Sequence, residues 1–111
     1  MGYVAKHKYA PVSARKARLI IDMIRGKGVS DALRILQFAP QRSAGMILQV
    51  VRSAQANAEN RGVSDVETLF VEKAWVDEGF RIKRWRPRSR GMANPYQRYR
   101  SHLCVELGVR A

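Results

Sequence analysis

The stretch from Arg81 to Arg100 constrains the fold most, because it cannot supply a hydrophobic core. It contains eight cationic residues and neither aspartate nor glutamate. Solvated protein faces normally mix charges of both signs, so this surplus predicts a surface that an external polyanion neutralises. The cations are Arg81, Lys83, Arg84, Arg86, Arg88, Arg90, Arg98 and Arg100, and Trp85, Tyr96 and Tyr99 are interleaved with them.

A second basic segment lies at the N-terminus of the 111-residue chain, whose formal net charge is +12. Residues 1–28 carry seven cations and one acid, whereas residues 61–79 carry two cations and five acids. We interpret these cations as phosphate contacts that set orientation, and the alternative is a solvated helix face. They are Lys6, Lys8, Arg15, Lys16, Arg18, Arg25 and Lys27.

The apolar periodicity of the first 62 residues predicts a short strand over residues 3–10 and three helices. The first helix begins after Ser13, a favourable N-cap, and stops at Gly26 and Gly28. The second runs from Ser30 to Pro40. The third carries the clearest stripe, which we expect to be core: Ala44, Ile47, Leu48, Val51, Ala54 and Ala58.

After Gly62 the period changes to two, which indicates strands. Residues 68–77 are rich in β-branched and aromatic side chains, and Leu103, Val105, Leu107 and Val109 alternate with other residues. Gly91 and Asn94-Pro95 predict a turn between the two strands. Folding back there would pair residues near 80–86 with residues near 96–102.

The predicted hairpin is too long for the rest of the molecule. A strand from Thr68 to Arg86 spans about 60 Å at ~3.3 Å per residue. A compact domain of this size has a diameter of roughly 34 Å. We therefore expect one domain over residues 1–111, with a body formed by residues 1–79 and 102–111. The basic hairpin of about residues 80–101 either bends sharply or projects, and an isolated ribbon of this kind is only marginally stable in water.

Several kinds of chemistry find little support in the sequence. Cys104 is the single cysteine, and His7 and His102 are too few for a metal site, so no metal or cofactor is expected. Cys104 and His102 share a strand face, but a nucleophilic pair also needs an orienting partner and a pocket. Asp77 and Glu78 are more simply explained as partners of nearby arginines or as groups that repel RNA. No apolar run approaches ~20 residues, so no membrane span is expected.

Four motifs resemble one family, the bacterial large-subunit ribosomal proteins numbered twenty-two. They are SARKARLIIDMIRGK from Ser13, SAQANAEN from Ser53, VDEGFRIKRWRPRSRG from Val76 and RYRSH from Arg98. The resemblance implies an α+β fold, with three helices packed on a small three-stranded antiparallel sheet and a long protruding β-hairpin. It also implies a non-enzymatic structural component of the cytoplasmic ribosome that binds large-subunit ribosomal RNA (rRNA) and assists its assembly. The body would lie near the mouth of the polypeptide exit tunnel, beside neighbouring ribosomal proteins, and the hairpin tip would line the tunnel and meet the nascent polypeptide.

Carried onto this sequence, the resemblance and the charge pattern together give a set of candidate rRNA-binding residues. The set comprises Lys6, Lys8, Ser13, Arg15, Lys16, Arg18, Arg25, Lys27, Arg81, Lys83, Arg84, Trp85, Arg86, Arg88, Arg90, Tyr96, Arg98, Tyr99, Arg100 and His102. The expected tunnel-lining tip comprises Arg88, Ser89, Arg90, Gly91, Met92 and Ala93.

Two other functional classes are compatible with parts of the pattern. An architectural DNA-bending protein also uses arginine-rich β-ribbon arms, although such proteins work as dimers with short arms. A small ribonuclease would need a histidine and glutamate set that the sequence does not offer convincingly.

Overall fold

The C-terminal strand lies in the middle of the sheet. In the computed structural model the described residues are 2–87 and 93–109, and side chains are described outside residues 80–99. The elements are β1 (Tyr3–Ala10), α1 (Ala14–Ile24), α2 (Val29–Phe38), α3 (Arg42–Asn60), a 3-10 turn (Val66–Thr68), β2 (Leu69–Pro87) and β3 (Ala93–Val109). The strand order is β1-β3-β2 with both pairings antiparallel. The predicted α+β fold with three helices and a three-stranded sheet is confirmed.

The helices cover one face of this sheet and form a single core with it. Leu107 of β3 pairs with Tyr3 of β1 on one side and with Val71 of β2 on the other. The alternation predicted for β3 holds as far as Leu107, because Val109 is half exposed. The largest fully buried side chains include Ile20, Ile21, Ile24, Ile47, Leu69, Leu103 and Leu107.

The buried face of α3 differs slightly from the predicted stripe. Ser43 and Val50 are buried, whereas Leu48 is only partly buried. Positions 43, 47, 50, 54 and 58 follow the spacing of one helix face. Leu48 lies at the edge of that face, so its predicted place in the core is corrected to a peripheral one.

The two ends of α1 agree with the local signals in the sequence. The Ser13 hydroxyl accepts a hydrogen bond from the Lys16 amide at 3.4 Å, which confirms the N-cap. Beyond Ile24 the chain reaches Gly26 at a φ of 82°, a left-handed conformation that favours glycine. Helix α2 begins at Val29 with Gly28 as its N-cap, one residue before the predicted start.

The loop between α1 and α2 covers the outer edge of β2. The Gly26 amide donates to the Val71 carbonyl at 2.9 Å, and the Val71 amide donates to the Lys27 carbonyl at 2.8 Å. Gly28 forms an isolated bridge with Phe70. These contacts occupy backbone groups that would otherwise be open to strand addition by another chain.

Strands β2 and β3 remain paired beyond the body. A register shift between Glu78 and Arg81 separates the body ladder from a second ladder that runs from Arg81–Tyr99 to Pro87–Ala93. The molecule extends 64 Å along its longest axis, and its radius of gyration is 16.9 Å, compared with roughly 13 Å for a compact domain. These dimensions agree with the long hairpin expected from the sequence.

The predicted turn at Asn94-Pro95 is wrong. Asn94 and Pro95 belong to β3 and pair with Arg86 and Trp85. At this level β3 has only β2 as a neighbour, because β1 pairs with β3 no further than Ser101. Proline is tolerated on such an edge, where its missing amide proton interrupts no ladder. The predicted turn at Gly91 lies outside the described residues.

Candidate nucleic-acid interface

Strand β1 and the first turn of α1 present four of the exposed cations of the body. Lys6 and Lys8 occupy exposed positions of β1, and Arg15 and Lys16 are exposed in the first turn of α1. That turn contains no acidic residue. Cations are unfavourable at a helix N-terminus, where the macrodipole is positive, and an anion bound there would reverse the penalty. The placement therefore favours a phosphate-bearing partner.

Two of the predicted phosphate contacts on α1 bind the protein itself. Arg18 Nη2 donates to the Val76 carbonyl at 3.0 Å. Arg25 donates from Nε at 3.2 Å and from Nη2 at 2.8 Å to the Ala74 carbonyl, and its Nη1 pairs with Asp22 at 2.8 Å. Both arginines thus bind the outer edge of β2, as the loop between α1 and α2 does. Their predicted rRNA contacts stay predictions, while their structural role is observed.

A charge-matched pair of variants separates these two roles. Arg25→Gln should lower the free energy of unfolding by about 1–2 kcal/mol, because it removes charge-assisted hydrogen bonds to a strand carbonyl. Arg15→Gln removes the same charge from an exposed site and should change that free energy by less than about 0.5 kcal/mol. Chemical denaturation measures both.

The salt dependence of RNA binding provides the complementary measurement. Arg15→Gln should reduce its slope by about one phosphate contact, and Arg25→Gln should reduce it less, because Arg25 already donates to Ala74 and Asp22. If Arg25→Gln unfolded like the unmodified protein and flattened the slope, Arg25 would be a phosphate contact instead.

Lys27 and Arg100 are placed differently from the α1 arginines. The Lys27 backbone pairs with Val71, but the residue is exposed, so its side chain is available to a partner. Arg100 is half-buried at the base of the hairpin, opposite Gly79. A Cβ atom at Gly79 would lie 2.9 Å from the Arg100 carbonyl oxygen, which explains why glycine occupies this close approach of the two strands.

The hairpin supplies the second cationic segment through its backbone register. Arg84 pairs with Tyr96, Ile82 with Arg98, and the remaining pairs place Arg81, Lys83 and Arg86 on β2. Eight of the candidate rRNA-binding residues in the hairpin have no described side chain: Arg81, Lys83, Arg84, Trp85, Arg86, Tyr96, Arg98 and Tyr99. The predicted tip residues Arg88, Ser89, Arg90, Gly91 and Met92 lie outside the described residues altogether, and Ala93 pairs with Pro87. Their contacts with RNA or the tunnel remain predictions.

His102 lies where β1, β3 and the start of the hairpin meet. Its Nδ1 accepts a hydrogen bond from the Tyr9 amide at 3.1 Å, so the neutral ring carries its proton on Nε2. The Tyr9 and His102 rings meet edge to face with centroids 4.8 Å apart. His102 was a predicted site residue and Tyr9 was not, because the bulge in β1 that positions Tyr9 depends on pairing with a distant strand.

The thiol of Cys104 is not arranged for nucleophilic chemistry. It is buried, and its Sγ is 3.9 Å from the His102 carbonyl oxygen, while the imidazole Nδ1 is already engaged by Tyr9. Burial raises the pKa of the Cys104 thiol, the Asp77 carboxylate raises that pKa further, and Lys6 partly opposes both. The thiolate is thus disfavoured.

Several polar residues of the body have partners within the body. The Asp77 carboxylate accepts from the Trp75 indole N–H at 3.2 Å, and its predicted roles in pairing with a nearby arginine or in repelling RNA stay predictions. Among the described side chains, ion pairs join Asp22 to Arg25 and Asp31 to Arg34. Asn57 donates to the Val4 carbonyl at 3.0 Å and links α3 to β1.

The described part of the chain contains neither a metal-binding cluster nor a helix suited to span a membrane. Over residues 2–87 and 93–109, no described side chains form a cluster of three or more His, Cys, Asp or Glu suited to a metal ion. Among the described helices, none combines the length and apolar composition needed to cross a bilayer.

Comparison with known proteins identifies the family. The family model described as ribosomal protein L22p/L17e matches residues 5–108. The large ribosomal subunit protein uL22 of Syntrophobacter fumaroxidans is 50% identical over 103 residues, which cover 93% of this chain and 94% of that protein. The uL22 proteins of Syntrophotalea carbinolica and Ligilactobacillus salivarius are each 48% identical, over 93% and 96% of this chain and 94% and 92% of their own lengths. The chain therefore belongs to the L22p/L17e family of ribosomal proteins.

Proposed function

We propose that this protein is a structural component of the large ribosomal subunit in the cytoplasm. In that role it binds large-subunit rRNA, assists its assembly and lines the peptide exit tunnel with its hairpin. Family membership supports the structural, non-enzymatic role, and the relatives' names supply the subunit. The partners are rRNA, neighbouring ribosomal proteins and the nascent polypeptide.

The hairpin is the observation that carries the proposal. Its strands pair from Arg81–Tyr99 to Pro87–Ala93, and residues 81–100 hold eight cations without an acid. Such a ribbon repels itself in water and gains stability when phosphates replace its condensed counterions. Because the cations are spread along an extended ribbon and are not gathered in one compact patch, the arm suits RNA that packs on several sides of it.

The body cations support a second set of contacts. Lys6, Lys8, Arg15 and Lys16 are exposed on β1 and α1, while the helix stripes form the core. Contacts at both the body and the arm would fix separate RNA segments relative to each other. This is recognition by charge and shape, without a need to read base sequence.

One experiment tests subunit binding and tunnel lining together. The full chain carrying Met92→Cys is assembled into large subunits, which are sedimented in high salt and then programmed with a stalled nascent chain. We expect the protein to co-sediment and a thiol crosslinker to join position 92 to the nascent polypeptide. The unmodified protein is the matched control, because its one thiol, Cys104, is buried.

The two results can fail separately. Loss of the protein from subunits in high salt would contradict the structural role. Stable co-sedimentation without a nascent-chain crosslink at position 92 would contradict tunnel lining alone.

A further inference from the structure

We propose that Tyr9 is a stacking site for one unpaired base of the bound RNA, at the corner between β1, α1 and the hairpin base. The inference rests on the proposed rRNA-binding function. It adds a contact that the charge pattern does not supply, because Tyr9 lies on the body and carries no charge.

Tyr9 adopts a conformation that a bulky residue rarely accepts. Its φ is 59°, and it is the only non-glycine residue with positive φ in the described part of the chain. Left-handed backbone is unfavourable for a side chain with a Cβ atom and persists only where surrounding contacts impose it. Tyr9 nevertheless remains 52% exposed, so burial of its ring does not account for the conformation.

The neighbouring strand imposes this conformation. The β1–β3 register shifts between His7 and Ala10, and such bulges re-aim side chains. The Tyr9 amide donates to His102 Nδ1, and the two rings meet at 76°. Tyr9 keeps about half of its surface exposed beside this contact. His102 is therefore a positioning residue that holds Tyr9 at the surface.

The surroundings of Tyr9 favour RNA as the occupant. Lys8 precedes it on β1, and Arg15 and Lys16 begin α1 a few residues later. The Ser101 hydroxyl donates to the Val12 carbonyl at 2.9 Å, which ties the link between β1 and α1 to β3. The acids closest in register are Asp77, which lies opposite His102 and is hydrogen-bonded to Trp75, and Glu78, which lies opposite Ser101.

An aromatic ring flanked by phosphate-binding cations is the usual arrangement for an unpaired base. The cations would position the sugar-phosphate backbone, and the ring would then contact the face of one base. A protein partner at this corner would have to cover Lys8 and Lys16, whereas protein interfaces are depleted in lysine.

The test compares Tyr9→Asn with Tyr9→Phe in binding to purified large-subunit rRNA over a salt series. Asparagine tolerates left-handed backbone but has no ring, and phenylalanine keeps the ring. We expect Tyr9→Phe to bind within about twofold of the unmodified protein. Tyr9→Asn should bind about 5–150-fold more weakly, with the salt slope unchanged, because stacking releases no counterions.

A second variant controls for folding. Tyr9→Gly also lacks the ring and suits positive φ, so it should reproduce the loss while thermal unfolding stays near that of the unmodified protein. Equal affinities for the Tyr9→Asn and Tyr9→Phe variants would overturn the stacking site and indicate that the exposed ring meets something other than RNA. Failure of the unmodified protein to bind rRNA would instead contradict the proposed function.

Discussion

Replacing Leu107 with alanine should lower the free energy of unfolding by about 2–5 kcal/mol. Leu107 is fully buried on the central strand, between Tyr3 of β1 and Val71 of β2. Truncation removes buried methyl groups and leaves a cavity where the sheet meets the helices. Because β3 contributes to both strand pairs, the surroundings have little freedom to collapse into that space.

Val109→Ala provides the matched control on the same strand and in the same alternation. Val109 is 50% exposed, so its truncation should change the free energy of unfolding by no more than about 0.5 kcal/mol. Urea denaturation followed by far-ultraviolet circular dichroism measures both variants. Similar losses at the two positions would show that burial at residue 107 is not what anchors β3.

Replacing Arg84, Arg86, Arg88 and Arg90 with glutamine should have the largest effect on RNA binding. If each contacts one phosphate, the slope of log affinity against log salt should fall by about 3, since each contact contributes roughly 0.7. Near 0.1 M salt this corresponds to a loss of about two to three orders of magnitude in affinity. Filter binding or fluorescence anisotropy across a salt series measures both quantities.

A charge-matched variant distinguishes the hairpin from net charge. Arg34, Arg42, Arg52 and Arg61 are exposed on or beside α2 and α3, outside both basic segments, and their replacement removes the same four charges. This control should retain most of the slope. Equal slopes for the two variants would show that attraction is nonspecific. The hairpin variant should leave thermal unfolding nearly unchanged, because the described core residues belong to the body.

Local signals in the sequence predicted the elements that depend on neighbouring residues. Ser13 is positioned by the helix that follows it, and it caps α1 as expected. The alternation of Leu103, Val105 and Leu107 identified a strand face that the core buries. The pairing of the hairpin was predicted only approximately, because residues near 80–86 were matched with residues near 96–102, whereas Arg81 pairs with Tyr99 and Arg86 with Asn94.

Features that depend on distant contacts could not be predicted in the same way. Arg18 and Arg25 look like free cations in the sequence, and only the path of β2 brings carbonyl groups to them. The left-handed backbone of Tyr9 arises from pairing with β3. Its hydrogen-bond partner on that strand, His102, lies more than ninety residues away in the sequence. Pro95 resembled a turn residue because the sequence does not show that β3 has a free edge there.

The strand order has a consequence for synthesis of the protein. The centre of the sheet is β3, which is made after β1 and the helices, and β1 pairs in the described sheet with β3 alone. Strand β1 must therefore wait for more than ninety further residues to be made before it gains its hydrogen-bonding neighbour. Both strand pairs of the described sheet include β3, so a nascent chain that stops before β3 lacks the sheet, and we expect it to remain a substrate for proteases.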